Sequence, residues 1–439
     1  MSLLSATSSS SSRRTGVVTV LDVGSSKICC IIARLMPRDE GELLRGRTHD
    51  IRVIGIGHHR SEGVKSGVIT DLDSAERAIR HAVDAAEKMA GVMVESLIVN
   101  ISAGRLKSEM FSATVNLGGE EADANDIHKV LVAGARQAQA IERQVIHSLA
   151  TGYALDGERG IRDPLGMIGD TLGVEMHVLS ADAAPLRNLE LAVNRCHLSV
   201  ERMVATPYAS GLAALVDDET EMGAACIDIG GGTITMSVFA NGRFVHGDSL
   251  PIGGRHITMD LARGLSTRVE AAERLKAMHG SALPSAADDR DVVTIPSIDD
   301  DGGDRDEGQQ IPRAIMTRII RARTEEMLEH VRDRMNASGF GAVVGRRVVL
   351  TGGGAQLNGL PEVARRILGR NVRVGRPLGV AGLPPAAKGP AFSTAVGLMI
   401  YPQVAGLETS VMKHSRWSRR LTGTGGRLSR VGQWLRDNL

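Results

Sequence analysis

Aromatic side chains are scarce in this chain and make up 2% of its 439 residues. Its charges nearly cancel, with 52 basic and 51 acidic residues. Because nucleic-acid surfaces use aromatic stacking and a basic field, this composition predicts no nucleic-acid partner. No stretch approaches the roughly 18 apolar residues of a membrane-spanning helix. The Ser-rich residues 1–14 lack an apolar signal core and predict a flexible tail.

Cysteine is rare as well. The four cysteines lie in or beside apolar runs and form no CxxC pair, which predicts buried, reduced thiols and a cytosolic location. The histidines show no spacing typical of metal ligands, so the sequence predicts no protein metal site. Glycine, by contrast, is abundant at 51 residues, as expected of a protein with several close backbone approaches.

One glycine turn occurs twice. "VTVLDVGSSKICCII" (18–32) and "CIDIGGGTITMSVF" (226–239) share an order of apolar run, Asp-x-Gly, hydroxyl residues and apolar run. Backbone N–H groups free of side-chain bulk can grip a phosphate, and carboxylates can hold Mg²⁺ through water. Asp22 and Asp228, each ending the strand that enters its turn, fit the second task. A single turn of this kind is more often only structural, but its repetition is stronger evidence for a phosphate-binding site.

The element that follows each turn narrows the fold class. Both turns lead into a β-strand, whereas Rossmann and P-loop sites require a helix there. The repeat therefore predicts two similar domains that face each other, with one hairpin from each closing on the phosphates of a nucleotide.

These motifs resemble those of the actin, Hsp70 and sugar-kinase superfamily. "DVGSSK" and "DIGGGT" are similar to its two phosphate loops, and "VVLTGGGAQLNGL" (348–360) to its adenosine motif. "AAERLK" (271–276) resembles the AExxK helix of bacterial actin homologues, whose glutamate reaches the ribose and whose lysine lies by the base. The resemblance implies these ATP-binding residues: Asp22, Gly24, Ser25, Ser26, Lys27, Asp228, Gly230, Gly231, Gly232, Thr233, Glu273, Lys276, Gly352, Gly353 and Gly354.

From the residues alone, other interpretations stay open. Glu273 and Lys276 at i, i+3 also fit a solvated helix ion pair. "TGGG" (351–354) also fits a plain strand–helix turn.

Within the superfamily, residues 16–439 resemble the FtsA family of bacterial cell-division actin homologues. The implied fold is an actin-like (ribonuclease H-like) two-domain α/β ATPase with ATP and Mg²⁺ in the interdomain cleft, Asp22 and Asp228 holding the metal through water. The resemblance also implies a division of the chain into four subdomains, a linker and a terminal helix. Subdomain 1A is expected at 15–91 with 181–215 and 385–404, 1C at 92–180, 2A at 216–250 with 335–384, and 2B at 251–334. A basic linker is expected at 405–426 and the terminal helix at 427–439.

One position departs from the superfamily pattern. Actin and several relatives place a Gln or Glu before the "PxAxxG"-like helix to orient the attacking water, whereas "ERMVATPYASG" places Thr206 there. A threonine hydroxyl cannot act as a base at neutral pH. We therefore expect a nucleotide binder with slow hydrolysis at most.

The terminal segment carries an amphipathic pattern. At 100° per residue its apolar side chains share one arc, and Arg430 and Arg436 lie on the other side, a pattern typical of a helix at an anionic membrane surface. A helix docked on the protein's own core is the alternative, which the Gly/Thr-rich residues 421–426 disfavour. The predicted membrane residues are Leu428, Arg430, Val431, Trp434, Leu435, Arg436 and Leu439.

The family resemblance also implies partners. The C-terminal peptide of FtsZ is expected to bind residues 251–334, with Arg323 and Glu326 as candidate contacts. The other implied partners are further copies of the chain in a homopolymer, anionic lipids and other divisome proteins. The implied location is peripheral, on the cytoplasmic face of the cell membrane at the septum. Two alternatives stay open: a pilus-assembly adaptor and, disfavoured by the basic tail, a sugar or acyl kinase.

The tail generates a direct prediction. Trp434→Glu places a charge where an indole ring would lie among head groups, so it should release the protein from anionic vesicles in a co-sedimentation assay. Nucleotide binding should be unchanged, because the linker separates the tail from the body. Equal sedimentation of variant and parent at physiological salt would contradict a membrane role for this helix.

Overall fold

The computed structural model describes residues 16–37, 47–139, 143–296 and 309–408. The N-terminal tail, most of the basic linker and the terminal helix 427–439 lie outside the described residues. None of the described helices is both long and apolar enough to cross a membrane. The four cysteines, all of them described, are free and buried, as predicted.

The first sheet has six strands, in the spatial order β11-β6-β1-β2-β3-β19. Their bounds are β1 (Gly16–Val23), β2 (Lys27–Pro37), β3 (His49–Arg60), β6 (Ser96–Ile101), β11 (Ser199–Ala205) and β19 (Val380–Ala381). Four helices belong to this half of the molecule: α1 (Leu72–Ala90), α3 (Ala183–Arg195), α4 (Thr206–Ala214) and α10 (Ser393–Val404). A small hairpin joins β3 to α1: β4 (Val64–Lys65) and β5 (Val68–Ile69).

The second sheet has five strands, in the order β14-β13-β12-β17-β18. Their bounds are β12 (Ala224–Ile229), β13 (Ile234–Ala240), β14 (Arg243–Leu250), β17 (Arg347–Thr351) and β18 (Asn371–Val374). The helices of this half are α5 (Asp217–Met222), α6 (Gly254–Gly264), α7 (Val269–His279), α8 (Arg313–Ala337) and α9 (Leu360–Leu368). Short 3-10 turns cover Gly353–Gln356, Pro385–Ala387, Pro390–Phe392 and Ala405–Leu407.

The two sheets repeat one topology. In the first, β1, β2 and β3 form an antiparallel meander, and β6 and β11 continue in parallel on the other side of β1. In the second, β12, β13 and β14 form the meander, and β17 and β18 continue in parallel beside β12. The doubled glycine turn of the sequence thus belongs to a doubled fold, as predicted.

A third sheet is inserted into the first half, in the order β7-β10-β8-β9. Its elements are β7 (Lys107–Asn116), α2 (Ala124–Gln139), β8 (Gln144–Leu155), β9 (Glu158–Ile161) and β10 (Thr171–Ala181). It has its own apolar core, which includes Val130, Leu172 and Met176. The two larger sheets have main clusters of their own, and the cluster of the first sheet also takes in residues of the other two, among them Leu179 and Phe239.

Local signals in the sequence match the observed boundaries. Asp71 caps α1 by accepting hydrogen bonds from the N–H groups of Asp73 and Ser74, and Gly91 ends the helix in the left-handed region with a φ of 67°. Asn241-Gly242 between two apolar runs predicts a type I′ hairpin, and the positive φ of both residues, 54° and 72°, confirms it.

One local expectation is wrong. The acidic composition of residues 284–312 predicts a loop, but the stretch contains two paired strands, β15 (Val292–Ile295) and β16 (Gln309–Pro312). Val293, Ile295 and Ile311 are buried, so a few alternating apolar residues determine this hairpin despite the charged residues around it.

Candidate nucleotide site

The two glycine turns have the same backbone geometry. In the β1–β2 turn the Gly24 N–H donates to the Lys27 carbonyl at 3.1 Å, and in the β12–β13 turn the Gly230 N–H donates to the Thr233 carbonyl at 2.9 Å. Each turn follows an aspartate that is paired across its hairpin, Asp22 with Cys29 and Asp228 with Thr235. The repeated motif therefore forms two equivalent hairpin tips.

These tips pack against each other. A β-carbon at Gly231 would lie 2.8 Å from the Ser26 Cβ, and one at Gly232 would lie 2.5 Å from the Ser25 Oγ. The second tip is also held from behind, because the Gly254 N–H at the start of α6 donates to the Gly230 carbonyl at 2.9 Å. Glycine is required here for the contact between the tips as well as for access to a ligand.

A cavity of about 1020 Å³ opens between the two halves at this contact. Every residue of the predicted nucleotide set lines it except Gly232, whose Cα faces Ser25. The structure thus brings together residues that are up to 332 positions apart in the chain, from Asp22 to Gly354, in one cleft. Sequence reasoning missed other lining residues, among them Arg60, Asn100, Thr235, Glu270 and Thr394.

Two buried carboxylates lie in the cavity wall. Asp22 is 7% exposed and Asp228 is 6% exposed. Burial raises the pKa of Asp22 from 3.8 to about 6, although Lys27 opposes the shift. Burial likewise raises the pKa of Asp228 to about 6, against a hydrogen bond from the Thr394 hydroxyl at 2.9 Å. Two anionic groups in one buried wall favour a cation between them and a ligand.

Lys27 provides the cationic group nearest these acids. Its Nζ donates to the Ala391 carbonyl at 2.5 Å and lies 3.2 Å from the centroid of the Phe392 ring. Burial lowers the pKa of Lys27, and the Asp22 carboxylate opposes that shift most strongly. The side chain therefore joins the first hairpin to the segment that leads into α10.

The AExxK pair, Glu273 and Lys276, lies at the cavity, on α7. Lys276 Nζ donates to Glu273 Oε2 at 2.7 Å, to the Thr258 hydroxyl at 2.8 Å and to the Gly254 carbonyl at 3.2 Å. The two side chains are thus an ion pair and also part of the cavity wall. Beside them, Arg60 from the first half pairs with Glu270 from the second at 3.0 Å.

Thr206, the position that departs from the superfamily pattern, also lies in the wall. Its hydroxyl accepts a hydrogen bond from Asn100 Nδ2 at 3.1 Å, and Asn100 Oδ1 accepts one from the Val23 N–H at 2.7 Å. Asn100 therefore connects Thr206 to the end of β1, directly after Asp22.

The cavity suits a hydrated Mg²⁺ better than a cage of protein ligands. Within the described ranges no cluster of three or more His, Cys, Asp or Glu side chains could hold a metal. Asp22 and Asp228 nevertheless line the cavity. Beside them, the buried Thr235 hydroxyl, opposite Asp228 in the hairpin, has no hydrogen-bond partner among the described residues. Mg²⁺ usually keeps several waters and uses one or two carboxylates, which matches this donor set.

The two candidate partner residues lie away from the cavity, on α8. Arg323 Nε donates to Asp260 Oδ2 on α6 at 2.5 Å, and its Nη1 donates to Glu326 Oε2 at 2.6 Å. The pair is therefore not simply an exposed i, i+3 pair, since Arg323 also ties α8 to α6. The membrane residues predicted between 428 and 439 lie outside the described residues.

Solved structures with the same fold define the class. A chain of the PilM–PilN type IV pilus biogenesis complex matches with a TM-score of 0.57 and 15% identity, over 89% of this chain and 99% of that one. MreB5 of Spiroplasma citri, solved bound to ADP, matches with a TM-score of 0.51 and 12% identity, over 90% and 98%. The protein has an actin-like fold.

Sequence comparison identifies the family within that class. The family model described as "Cell division protein FtsA" matches residues 225–397, and that described as "SHS2 domain inserted in FTSA" matches residues 103–180. The cell-division protein FtsA of Rhizobium meliloti is 63% identical over 97% of this chain and 96% of its own length, and that of Pseudomonas aeruginosa is 32% identical over 96% and 98%. The chain belongs to the FtsA family of actin-like cell-division proteins.

The buried acids generate a prediction for the nucleotide-free protein. Because their folded-state pKa lies above the unfolded value, the stability they contribute is complete below about pH 4 and is lost as pH rises to about 6. At roughly 1.4 kcal/mol per pKa unit, Asp22→Asn should raise the free energy of unfolding at pH 7.5 by up to about 3 kcal/mol. Calorimetric melting with a chelator present measures this.

The matched control is Asp84→Asn, because Asp84 is exposed on α1. It should leave the melting temperature near that of the parent at each pH. If Asp22→Asn melts at a lower temperature than the parent at pH 7.5, the buried charge of Asp22 does not destabilise the folded protein, and the prediction is wrong.

Proposed function

We propose that the cavity binds ATP with Mg²⁺ and that this chain is the actin-like element that tethers a tubulin-like FtsZ ring to the membrane. The observation that carries the proposal is the contact of two equivalent hairpin tips beside two buried carboxylates. Backbone N–H groups of such tips suit phosphates, and the carboxylates suit a hydrated divalent cation. Family membership supplies the cell-division setting.

The parts of a nucleotide would be divided among the elements as follows. The tips at 24–27 and 230–233 would hold the phosphates, and Asp22 and Asp228 the water shell of Mg²⁺. The AExxK pair and the Gly352–Gly354 turn would contact the nucleoside. Bound Mg²⁺ would offset the negative charge of the phosphates and also that of Asp22 and Asp228.

Hydrolysis should be slow. Thr206 stands where the superfamily has a water-orienting Gln or Glu, and its hydroxyl accepts a hydrogen bond from Asn100. That arrangement can order a water molecule but cannot remove its proton at neutral pH. ATP would therefore act chiefly as a ligand that stabilises one relative orientation of the two halves of the molecule.

We further infer that ATP favours a head-to-tail homopolymer on the cytoplasmic face of the cell membrane at the septum. One tail at 427–439 would bind anionic lipid reversibly, and a polymer that displays many tails would bind far more tightly. The surface of residues 251–334 would receive the FtsZ C-terminal peptide. Glu326 is 46% exposed and so is more accessible to that peptide than Arg323, which is engaged with Asp260.

Gly231 tests the nucleotide proposal. Gly231→Val adds side-chain atoms where Ser26 already lies within 2.8 Å of the missing β-carbon, so it should separate the hairpin tips and abolish ATP binding in isothermal calorimetry. Gly16→Val is the control, since nothing lies within 4 Å of its β-carbon position. Unchanged ATP affinity in Gly231→Val, with the Gly16→Val control also unchanged, would contradict the proposed site.

A further inference from the structure

His147 on β8 joins three separate parts of the chain. Its side chain is fully buried, and its Nδ1 lies 2.8 Å from Oε1 of Glu408, whose side chain is 8% exposed. Its Nε2 accepts a hydrogen bond from the Ala205 N–H at 2.9 Å. Glu408 is the last described residue and forms a β-bridge with Leu149. The imidazole thus connects the inserted sheet, the end of β11 and the end of the described chain.

These two contacts determine the tautomer of the imidazole. A backbone N–H can only donate, so Nε2 of His147 must be the unprotonated acceptor. The proton of the neutral ring is then on Nδ1 and is donated to the Glu408 carboxylate. Glu408 therefore holds the ring in the one tautomer that can accept from Ala205.

The Ala205 contact leads directly to the cavity. Ala205 is the last residue of β11, and Thr206, which lines the cavity, begins α4 at the next position. The Thr206 hydroxyl is bonded to Asn100, and Asn100 to the Val23 N–H. A continuous series of hydrogen bonds and one peptide link therefore runs from Glu408 to the first hairpin.

A second route connects the same two places through α10. At its start, Thr394 donates to Asp228 at 2.9 Å, and the preceding Ala391 carbonyl accepts from Lys27. At its end, the 3-10 turn Ala405–Leu407 leads to Glu408. The helix has 12 residues, about 18 Å, and is almost wholly buried. Glu408 is thus connected to the cavity wall at both hairpins.

The surroundings of His147 make this connection rigid. The rings of Tyr208 on α4 and Tyr401 on α10 lie edge-on to the imidazole, with centroids at 5.1 and 5.9 Å. The two helices touch so closely that a β-carbon at Gly397 would lie 1.7 Å from the Ala209 carbonyl oxygen. A shift of Glu408 therefore acts directly on the imidazole, which it contacts, and on α10, which ends just before it.

We propose that His147 is a positioning residue that couples the end of the described chain to the nucleotide cavity: Glu408 orients its imidazole, and the imidazole holds the backbone N–H of Ala205, the residue directly before Thr206 in the cavity wall. The coupling rests on the proposed nucleotide function and is reciprocal, as linkage requires. A bound nucleotide changes the order of residues 405–408, and a force or contact on the chain beyond 408 changes nucleotide affinity.

The test compares three variants of the full chain. Glu408→Ala frees the imidazole to adopt the other tautomer, whose Nε2–H opposes the Ala205 N–H. Glu408→Gln keeps an oxygen that accepts from Nδ1–H. Thr151→Val is the control, since it removes a hydroxyl on the same strand, β8, that donates to the Glu175 carbonyl within the inserted sheet at 3.1 Å. Thermal melting establishes that each variant is folded.

Hydrogen exchange of the Ala205 amide is measured without nucleotide, and ATP affinity by calorimetry. Glu408→Ala should speed that exchange and weaken ATP binding, each by about 5-fold or more, whereas Glu408→Gln and Thr151→Val should stay within about 2-fold of the parent. ATP with Mg²⁺ should also slow exchange at residues 405–408 in the parent.

Parental exchange and affinity in Glu408→Ala would overturn the coupling, as would equal effects of Glu408→Gln and Glu408→Ala. Failure of the parent itself to bind ATP would overturn the proposed function instead. The nucleotide-free exchange at Ala205 would still decide the role of His147.

Discussion

Gly231 and Gly232 lie against Ser26 and Ser25 with no room for a β-carbon, and the geometry of the cavity depends on that contact. It brings two hairpin tips from different sheets to a common point. It also places the aspartates that precede the tips, Asp22 and Asp228, in the same buried wall. Two like charges in such a wall are unfavourable unless a cation or hydrogen bonds offset them. Lys27 and the Thr394 hydroxyl offset part of this cost, and burial still raises the pKa of both acids to about 6.

The doubled topology explains why this contact forms. In each half the strand that enters the turn is central in its sheet, antiparallel to the next strand and parallel to a later one. The aspartate at its end is thereby held by strands on both sides. Since the two halves repeat this arrangement, their tips reach the cleft in equivalent positions, and one ligand can contact both.

Much of this could be predicted from the sequence, because the relevant signals are local. "DVGSSK" and "DIGGGT" contain both the turn and the entering aspartate, and Asn241-Gly242 contains the next hairpin. Arg323 shows the limit of such reasoning. Its i, i+3 partner Glu326 is visible in the sequence, but its bond to Asp260 is not, because that contact depends on how α8 packs on α6.

The same limit applies to the cavity wall. Asn100 and Thr394 lie in largely apolar runs, and only the tertiary structure brings them to Thr206 and Asp228. His147 likewise carries no sequence signal, since both of its partners are distant in the chain. Residues that support a site are harder to predict than residues that form its turns.

The inserted sheet also contacts both halves. Arg243 beside the Asn-Gly hairpin donates to the Ala150 carbonyl at 2.5 Å, and the Gly247 N–H donates to the Ser108 hydroxyl at 2.9 Å. His147, on the same sheet, contacts the first half through Ala205. The inserted sheet would therefore be affected by a change in the relative orientation of the two halves, which a nucleotide in the cleft would stabilise.

The central claim is that the two hairpin tips act as one nucleotide clamp. Hydrogen exchange of the backbone amides at 24–27 and 230–233, followed while ATP with Mg²⁺ is titrated into the full chain, tests it most directly. The amides of both tips should become protected together, with the same midpoint in ATP concentration. Protection of one tip alone, or of neither at saturating ATP, would contradict a shared phosphate site.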